Sequence, residues 1–435
     1  MKTARQTAFE ILNRINRDNS YSNLILDSYL EKTELKPSDK AFVSALVYGV
    51  IERLITLDFE ISSYLKQPLK KLKPQVLTVL RMGAYQILFM DKIPVSAAIN
   101  ESVKLVKING ASFASGLVNA VLRKISVSGL TETNDLSVKY SVPDWLCKLW
   151  IKDYGFDNAV SLLESSFASS KTTIRVNTLK TTADKLIIEL SKEGFTACKH
   201  DNIDGCLLVE GIGALYKTDA YNNGLFHVQD TASQLCCSAL DVKEDDVVLD
   251  ICAAPGGKSF TLAELMNNGG TVVSMDIYPH RLDLIDSGAS RLGITNIRTC
   301  VNDGSVHNKQ LPLADKILCD VPCAGLGVIR KKPEIRYKQY AEVDKLPDLQ
   351  YSILCVSSKY LKAGGTLIYS TCSLNKSEND RVIERFLKDN PNFESIRVLP
   401  ELMRYGDDTD YISLMPHLHN CDGFFVAGIR KIKEV

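Results

Sequence analysis

Val247-Val248-Leu249-Asp250-Ile251-Cys252-Ala253-Ala254-Pro255-Gly256-Gly257-Lys258-Ser259 decides the fold. The apolar run Val247–Cys252 reads as a buried strand, the small residues after it as a tight loop, and the residues from Lys258 onward as a helix. Strand-like runs recur downstream at Thr271–Ile277, Asn296–Val301, Lys316–Cys319 and Thr366–Ser370. Helical patterns separate most of them, as parallel crossovers require. Gly423–Ile429 reads as a final strand. Residues 226–435 are therefore expected to form an α/β, Rossmann-like domain.

The loop nearly matches a phosphate-binding loop, Gly-x-x-x-x-Gly-Lys-Ser/Thr, but position 252 is Cys where the turn glycine would stand. A nucleotide triphosphatase stays a competing reading, with Ile317-Leu318-Cys319-Asp320 as its second motif. The next strand argues for another ligand. It ends at Asp276, about 20 residues beyond the glycine pair, where a carboxylate suits a ribose diol. Asp303 follows the third strand and offers either an acceptor for an adenine amino group or an N-cap for a following helix. A ribose and an adenine without phosphate fit S-adenosylmethionine. Lys258 sits at a helix N-terminus, where the dipole disfavours a cation, so a partner is expected, either Asp320 or the cofactor region.

Two cysteines close later strands. Cys323 ends Asp320-Val321-Pro322-Cys323, and Cys372 lies in Ser370-Thr371-Cys372-Ser373. Ligands of open α/β sheets bind at the carboxyl ends of the strands. Two soft nucleophiles at that edge, one of them three residues after an acid, suggest covalent chemistry. Cys236 and Cys237, beside Leu235 and Leu240, read as core.

The chain has 435 residues, 45% hydrophobic and 24% charged, with zero formal net charge, which excludes a strongly basic nucleic-acid binder as a whole. The charge is uneven: residues 1–135 hold 18 Lys and Arg against 13 Asp and Glu. Lys66, Lys70, Lys71 and Lys73 form one cluster, read as a solvated face. Arg330, Lys331 and Lys332 form another, read as a phosphate contact because it lies near Cys323. Tyr337 and Tyr340 beside it offer stacking faces for bases, or helix packing. No apolar run has the ~18 residues of a membrane span, and the start reads as an amphipathic helix rather than a signal. Twelve cysteines without a secretion signal imply reduced thiols and a cytoplasmic protein.

Residues 1–130 read as an independent all-α bundle, with helices opened by Pro37, Pro74 and Pro94. Residues 130–140 read as a linker. Residues 140–225 read as a small α+β insert with strands Thr172–Asn177 and Cys206–Glu210 and a helix at Lys185–Leu190.

Taken together, Cys252–Lys258, Asp276, Asp303, Asp320–Cys323 and Ser370–Ser373 resemble the motifs of the RNA cytosine-5 methyltransferases. Arg175-Val176-Asn177, Val228–Ser233 and His417–Phe425 also resemble that family. Cys421 departs from the Thr expected before Asp-Gly-Phe-Phe. His417, His419 and Cys421 could mimic a metal site, but no metal is expected. The N-terminal bundle resembles the NusB-type RNA-binding fold. The combination is similar to the bacterial small-subunit (16S) rRNA branch of the family, the RsmB/Sun type.

The resemblance implies S-adenosylmethionine as cofactor, contacted by Cys252, Ala253, Ala254, Pro255, Gly256, Gly257, Lys258, Asp276, Asp303 and Asp320. It implies an RNA-facing α+β subdomain and a cytosine in single-stranded or loop RNA as substrate. Cys372 would be the nucleophile toward C6, and Cys323 would aid release. Asp320 would bind the N3/N4 edge of the base, donating to N3 if protonated, with Lys258 beside it. A non-catalytic RNA-binding scaffold is the remaining alternative, and the two cysteines argue against it.

Overall fold

A computed structural model describes residues 2–18, 22–168, 171–211, 214–402 and 409–432. The chain forms two compact units. One is the chain up to Phe167 together with Lys331–Lys338, and the other is the remainder.

The first unit is helical. Its main helices are Ala4–Asp18, Pro37–Glu52, Leu54–Ser62, Pro74–Phe89, Val95–Ile108 and Ser115–Ser128. Pro37 and Pro74 occupy first-turn positions, where a missing N–H costs nothing. Ile11, Leu46, Leu57, Leu80, Val118 and Leu122 are fully buried in its core.

Three expectations about this unit change. The stretch read as a linker is pinned, because Thr131 donates from its N–H and hydroxyl to Glu60 at 2.8 and 3.0 Å. Asp135 then caps a short helix, Leu136–Tyr140. Second, the region read as mixed from 141 onward continues with helices Asp144–Tyr154 and Phe156–Ser165, which bury Leu146, Trp150, Leu162 and Leu163. Strands begin only at Thr172.

Third, the bundle is not made by the N-terminal chain alone. Arg336 is wholly buried in this unit, donating to Glu52 O at 3.1 Å and to the Tyr140 and Ser166 carbonyls at 3.4 Å each. The Tyr337 hydroxyl accepts from Leu54 N at 3.1 Å and donates to Glu52 O at 3.2 Å. Tyr337 is thus a packing residue, not a base platform. Tyr340 is half-exposed, with its hydroxyl on Asp344.

The second unit holds two sheets. The smaller contains β1 (Thr172–Val176), β2 (Phe195–Lys199), β3 (Cys206–Gly211) and β4 (Phe226–Val228). Its order is β2-β3-β1-β4, antiparallel throughout, with helix Ala183–Lys192 packed on it. The larger contains β5 (Val247–Asp250), β6 (Thr271–Asp276), β7 (Ile297–Val301), β8 (Ala314–Asp320), β9 (Leu361–Thr371), β10 (Phe393–Ile396), β11 (Ile412–Leu414) and β12 (Phe424–Lys431). Its order is β10-β12-β9-β8-β5-β6-β7, with β11 paired to β12.

β5 through β9 run parallel and β12 antiparallel. Successive residues feed opposite cores: Leu249, Ile317 and Leu367 face one, and Val248, Leu318 and Ile368 the other. A parallel sheet covered on both faces needs such continuous apolar runs. Among the described residues, no helix is long and apolar enough to cross a membrane.

Candidate active site

β5 has β6 on one side and β8 on the other, so the strand order reverses there. A cleft at the carboxyl ends of β5 and β8 is the place such a fold offers a ligand. Because these strands are parallel, Asp250, Asp276, Asp303, Asp320 and Cys372 all lie at one edge.

The loop after β5 turns tightly. Gly256 N donates to Ala253 O at 2.8 Å, and Ala253 N to Met275 O at 2.7 Å. Gly256 has φ +106°, and a Cβ there would lie 2.6 Å from the Phe260 ring, so only glycine fits. A Cβ on Gly257 would meet nothing within 4 Å. That position opens on free space at the start of helix Gly257–Leu265.

Motifs of the smaller sheet hold this helix. Arg175 makes a bidentate pair with Glu264 through Nε at 3.1 Å and Nη2 at 2.9 Å, both side chains almost wholly buried. Gln229 Nε2 donates to Gly257 O at 3.1 Å, and Thr261 Oγ1 donates to Gln229 Oε1 at 2.7 Å.

Asp276 is buried at the end of β6. It accepts from Tyr278 N at 3.0 Å and pairs with Arg281 at 3.1 Å. Asp303 is exposed and accepts from Ser305 N and Oγ at 2.9 and 2.6 Å, bonds that lower its pKa. A turn, not a helix, follows it, so the cap reading fails.

Asp250 carries a signal the sequence did not give. Oδ2 accepts from Ser259 Oγ at 2.7 Å, while Oδ1 is buried without a protein partner. Burial pushes this carboxyl up to about 7, despite the Ser259 bond.

Lys258 reaches Asp320 as expected, Nζ donating to Oδ2 at 2.7 Å. Burial opposes the ammonium charge, but Asp320 outweighs it and raises the lysine pKa. Ser370 Oγ donates to the other oxygen, Oδ1, at 2.7 Å. Both carboxylate oxygens thus accept from fixed donors, the arrangement of an ionised carboxylate. Asp320 as a proton donor to N3 does not fit this arrangement.

The two cysteines meet. Cys323 Sγ and Cys372 Sγ lie 3.1 Å apart, both half-buried. The hydrogen bond with Cys372, then burial, then the charges of Glu378 and Asp320 push the Cys323 thiol well up. Gly327 N donates to Cys372 O at 3.0 Å, and Gly423 N to Gly327 O at 2.9 Å. A Cβ on Gly327 would lie 1.9 Å from Gly423 O, which accounts for a glycine on both sides of this crossing.

Arg330 does not await phosphate. It is buried against Asp422, Nε to Oδ1 at 2.6 Å. Lys331 and Lys332 are exposed. Cys421 is buried ahead of β12, and His419 Nδ1 accepts from Met415 N at 2.8 Å. Among the described residues, no cluster of His, Cys, Asp or Glu has the grouping to hold a metal. Cys236 and Cys237 are core residues, as read.

An open sheet of this order, with a glycine loop after its first strand and acids closing the next ones, defines a Rossmann-like methyltransferase domain. Family models match the three parts of the chain: the 16S rRNA methyltransferase RsmB/F over residues 237–430, the NusB family over 2–127, and the RsmF/B-like ferredoxin-like domain over 142–215.

The chain belongs to the RsmB/F family of 16S rRNA methyltransferases. It is 37% identical to a probable ribosomal RNA small subunit methyltransferase B of Bacillus subtilis, across 99% of both chains. It is 34% identical to that of Synechocystis, across 99% of this chain and 100% of the other. A crystal structure of the protein PH0851 superposes with a TM-score of 0.85 over 98% of both chains at 26% identity.

Proposed function

We propose that this chain methylates C5 of a cytosine in small-subunit rRNA, with S-adenosylmethionine as donor, through a covalent bond between Cys372 and C6 of the base. The observation that carries the reading is the contact of two thiols at 3.1 Å beside Asp320, at the carboxyl edge of the sheet.

Fit to the cofactor rests on the protein's own atoms. Asp250 Oδ1 is a buried acceptor left open, Gly257 faces free space, and Asp276 closes the neighbouring strand. Cys252–Lys258, Asp276 and Asp303 would hold the methionine, ribose and adenine parts. Asp320 is their neighbour on the base side. When bound, the cofactor supplies an electrophilic methyl group on a sulfonium.

Cytosine C5 is a weak nucleophile. The Cys372 thiolate adds to C6, an S–C bond forms, and the ring π pair moves toward C5 and N3. Asp320, accepting only, receives a hydrogen bond from the N4 amino group. Uracil presents an acceptor, O4, at that position, so the carboxylate selects cytosine. Lys258, the donor on Asp320, supplies positive charge beside the base edge as N3 gains electron density. After methyl transfer the C5 proton leaves to a base, the C6–S bond breaks and Cys372 departs as a thiolate. Cys323, in contact with Cys372 at 3.1 Å, attends this release. The target base must leave its stack, so a loop or single strand is the substrate. For this work the parts matched at 2–127 and 142–215 would serve the RNA, and the part matched at 237–430 would hold the catalytic site.

The test is adduct trapping. Cys372→Ala should abolish methyl transfer and any covalent rRNA adduct, whereas Cys323→Ala should accumulate the adduct. Undiminished turnover by Cys372→Ala refutes the nucleophile. Calorimetry with S-adenosylmethionine against ATP separates the methyltransferase from a nucleotide hydrolase. Bisulfite sequencing of total RNA from a deletion strain identifies the target.

A further inference from the structure

Glu378 is a fully buried acid that the mechanism above does not use. Its four hydrogen-bond donors are all neutral. Oε2 accepts from Ala324 N at 2.8 Å and Gln350 Nε2 at 3.0 Å. Oε1 accepts from Ser373 Oγ at 2.6 Å and Asn375 Nδ2 at 3.1 Å. A buried carboxylate without a counter-ion is costly unless its lone pairs are filled, and here they are filled by two separate loops.

Those loops are the ones that carry the cysteines. Ala324 follows Cys323. Pro322 precedes it and is held by the same Gln350 Nε2 at 2.9 Å. Ser373 follows Cys372. Thr371 precedes it, donating from Oγ1 to Asn379 Oδ1 at 2.6 Å, while Asn379 Nδ2 donates to Ser373 O at 2.8 Å. The main chain of Glu378 is itself fixed, its carbonyl accepting from the Tyr369 hydroxyl at 2.6 Å. Both neighbours of both cysteines are thus tied, directly or through Gln350, to Glu378 and Asn379.

We propose that Glu378 is a positioning residue that clamps the Cys323 and Cys372 loops together and keeps the two thiols in contact while Cys372 forms and breaks its bond to the base. The proposal rests on the reading above only for what the thiols do. Their mutual placement can be tested without RNA. The clamp acts on the backbone on either side of each cysteine. Cys372 can therefore exchange its partner, from Cys323 to a ring carbon, without the loops separating.

The assay uses the full chain and diamide, a diazene oxidant. Two thiols lose two hydrogens and form one disulfide, and the diazene becomes a hydrazine. The rate of Cys323–Cys372 cross-linking is read by mass spectrometry of the unreduced digest, with Cys372→Ala as the blank. Melting curves and S-adenosylmethionine affinity report folding.

Glu378→Ala should slow both cross-linking and kcat by on the order of tenfold or more, since displacements near 1 Å carry such penalties. KM for rRNA and cofactor affinity should stay within about twofold, because neither the glycine loop nor the RNA contacts are touched. Glu378→Gln can keep its carbonyl on Ala324 and Gln350 and turn its amide to the reversible Ser373 hydroxyl, losing only the 3.1 Å bond from Asn375, so it should retain clearly more of both rates than Glu378→Ala. Wild-type cross-linking and kcat in Glu378→Ala overturn the proposal, as does equal loss in the Ala and Gln variants. If Glu378→Ala does not fold, Ser373→Ala replaces it: slower cross-linking at unchanged melting supports the clamp, and an unchanged rate overturns it. Activity in Cys372→Ala with slow cross-linking in Glu378→Ala would discard the nucleophile and keep the clamp. The reverse pattern would do the opposite.

Discussion

Arg175→Met should unseat the helix that carries the glycine loop. The guanidinium spans β1 and helix Gly257–Leu265, with two bonds to Glu264 and a third to Asp204 O at 2.7 Å. Both side chains of the pair are 6% exposed or less, so solvent screening does little to soften its loss. After the substitution, Glu264 keeps only Thr178, whose hydroxyl donates at 2.9 Å, and a buried carboxylate loses its counter-ion. Breaking a buried pair from one side costs about 3–5 kcal/mol, whereas replacing both partners is often close to neutral. Arg175→Met should therefore lower stability by about 3–5 kcal/mol in urea titrations, and the double variant with Glu264→Met should recover most of it. Because Gly256–Lys258 begin the same helix, the single variant should also bind S-adenosylmethionine more weakly, and the double variant should regain part of that affinity. A single variant that loses under about 1 kcal/mol, or a double variant as damaged as the sum of the singles, refutes the account.

Two further outcomes follow from buried polar groups. Asp250 is raised to about 7, so its native form holds the proton more tightly than the unfolded chain does. Its contribution is full below pH ~4 and is lost as pH rises toward 7, at about 1.4 kcal/mol per pH unit. Urea titrations at pH 5 and 7.5 should find the stability of Asp250→Asn rising relative to wild type by up to about 3 kcal/mol; a pH-independent difference refutes the shift. Arg336→Leu should destabilise the helical unit by about 2–4 kcal/mol, since it strands the buried carbonyls that the guanidinium serves. The matching loss is read in the transition of that unit, and an effect below about 1 kcal/mol would refute the role given to the 331–338 segment.

Periodicity served the long elements best. The parallel strands are apolar on both faces and flanked by helices, so β5, β6 and β8 stand out even without neighbours. β9 is legible only in its second half, because Gly364 and Gly365 open the first. β2 is too exposed and β4, at three residues, too short to mark themselves. In the segment after Arg330 the outcome is split, with Lys331 and Lys332 exposed and Tyr337 packed. Its basic and aromatic residues have the composition of a nucleic-acid contact, yet Arg336 and Tyr337 are spent on backbone groups of the helical unit, and Arg330 on Asp422. Composition reports which groups are available, not which are already bonded.

The same distinction divides the site. Cys323, Cys372, Asp320 and Lys258 announce themselves because each ends a strand or opens a helix, and parallel strands bring such positions to one edge. Their supports do not. Glu378 lies in the polar run Asn375–Asp380, and its burial depends on contacts from three places in the chain: Ala324, Gln350 and Ser373. Nor could a sequence give the charge state of Asp320, which turns on two donors, one 62 residues before it and one 50 after. Those donors alter the chemistry that fits. An acid with a proton to give would favour N3 of the base, whereas a carboxylate with one oxygen held by an ammonium and the other by a hydroxyl can only accept, and so it favours an amino group. On the proposed reading, the choice of cytosine over uracil rests on Lys258 and Ser370 as much as on the carboxylate that meets the base.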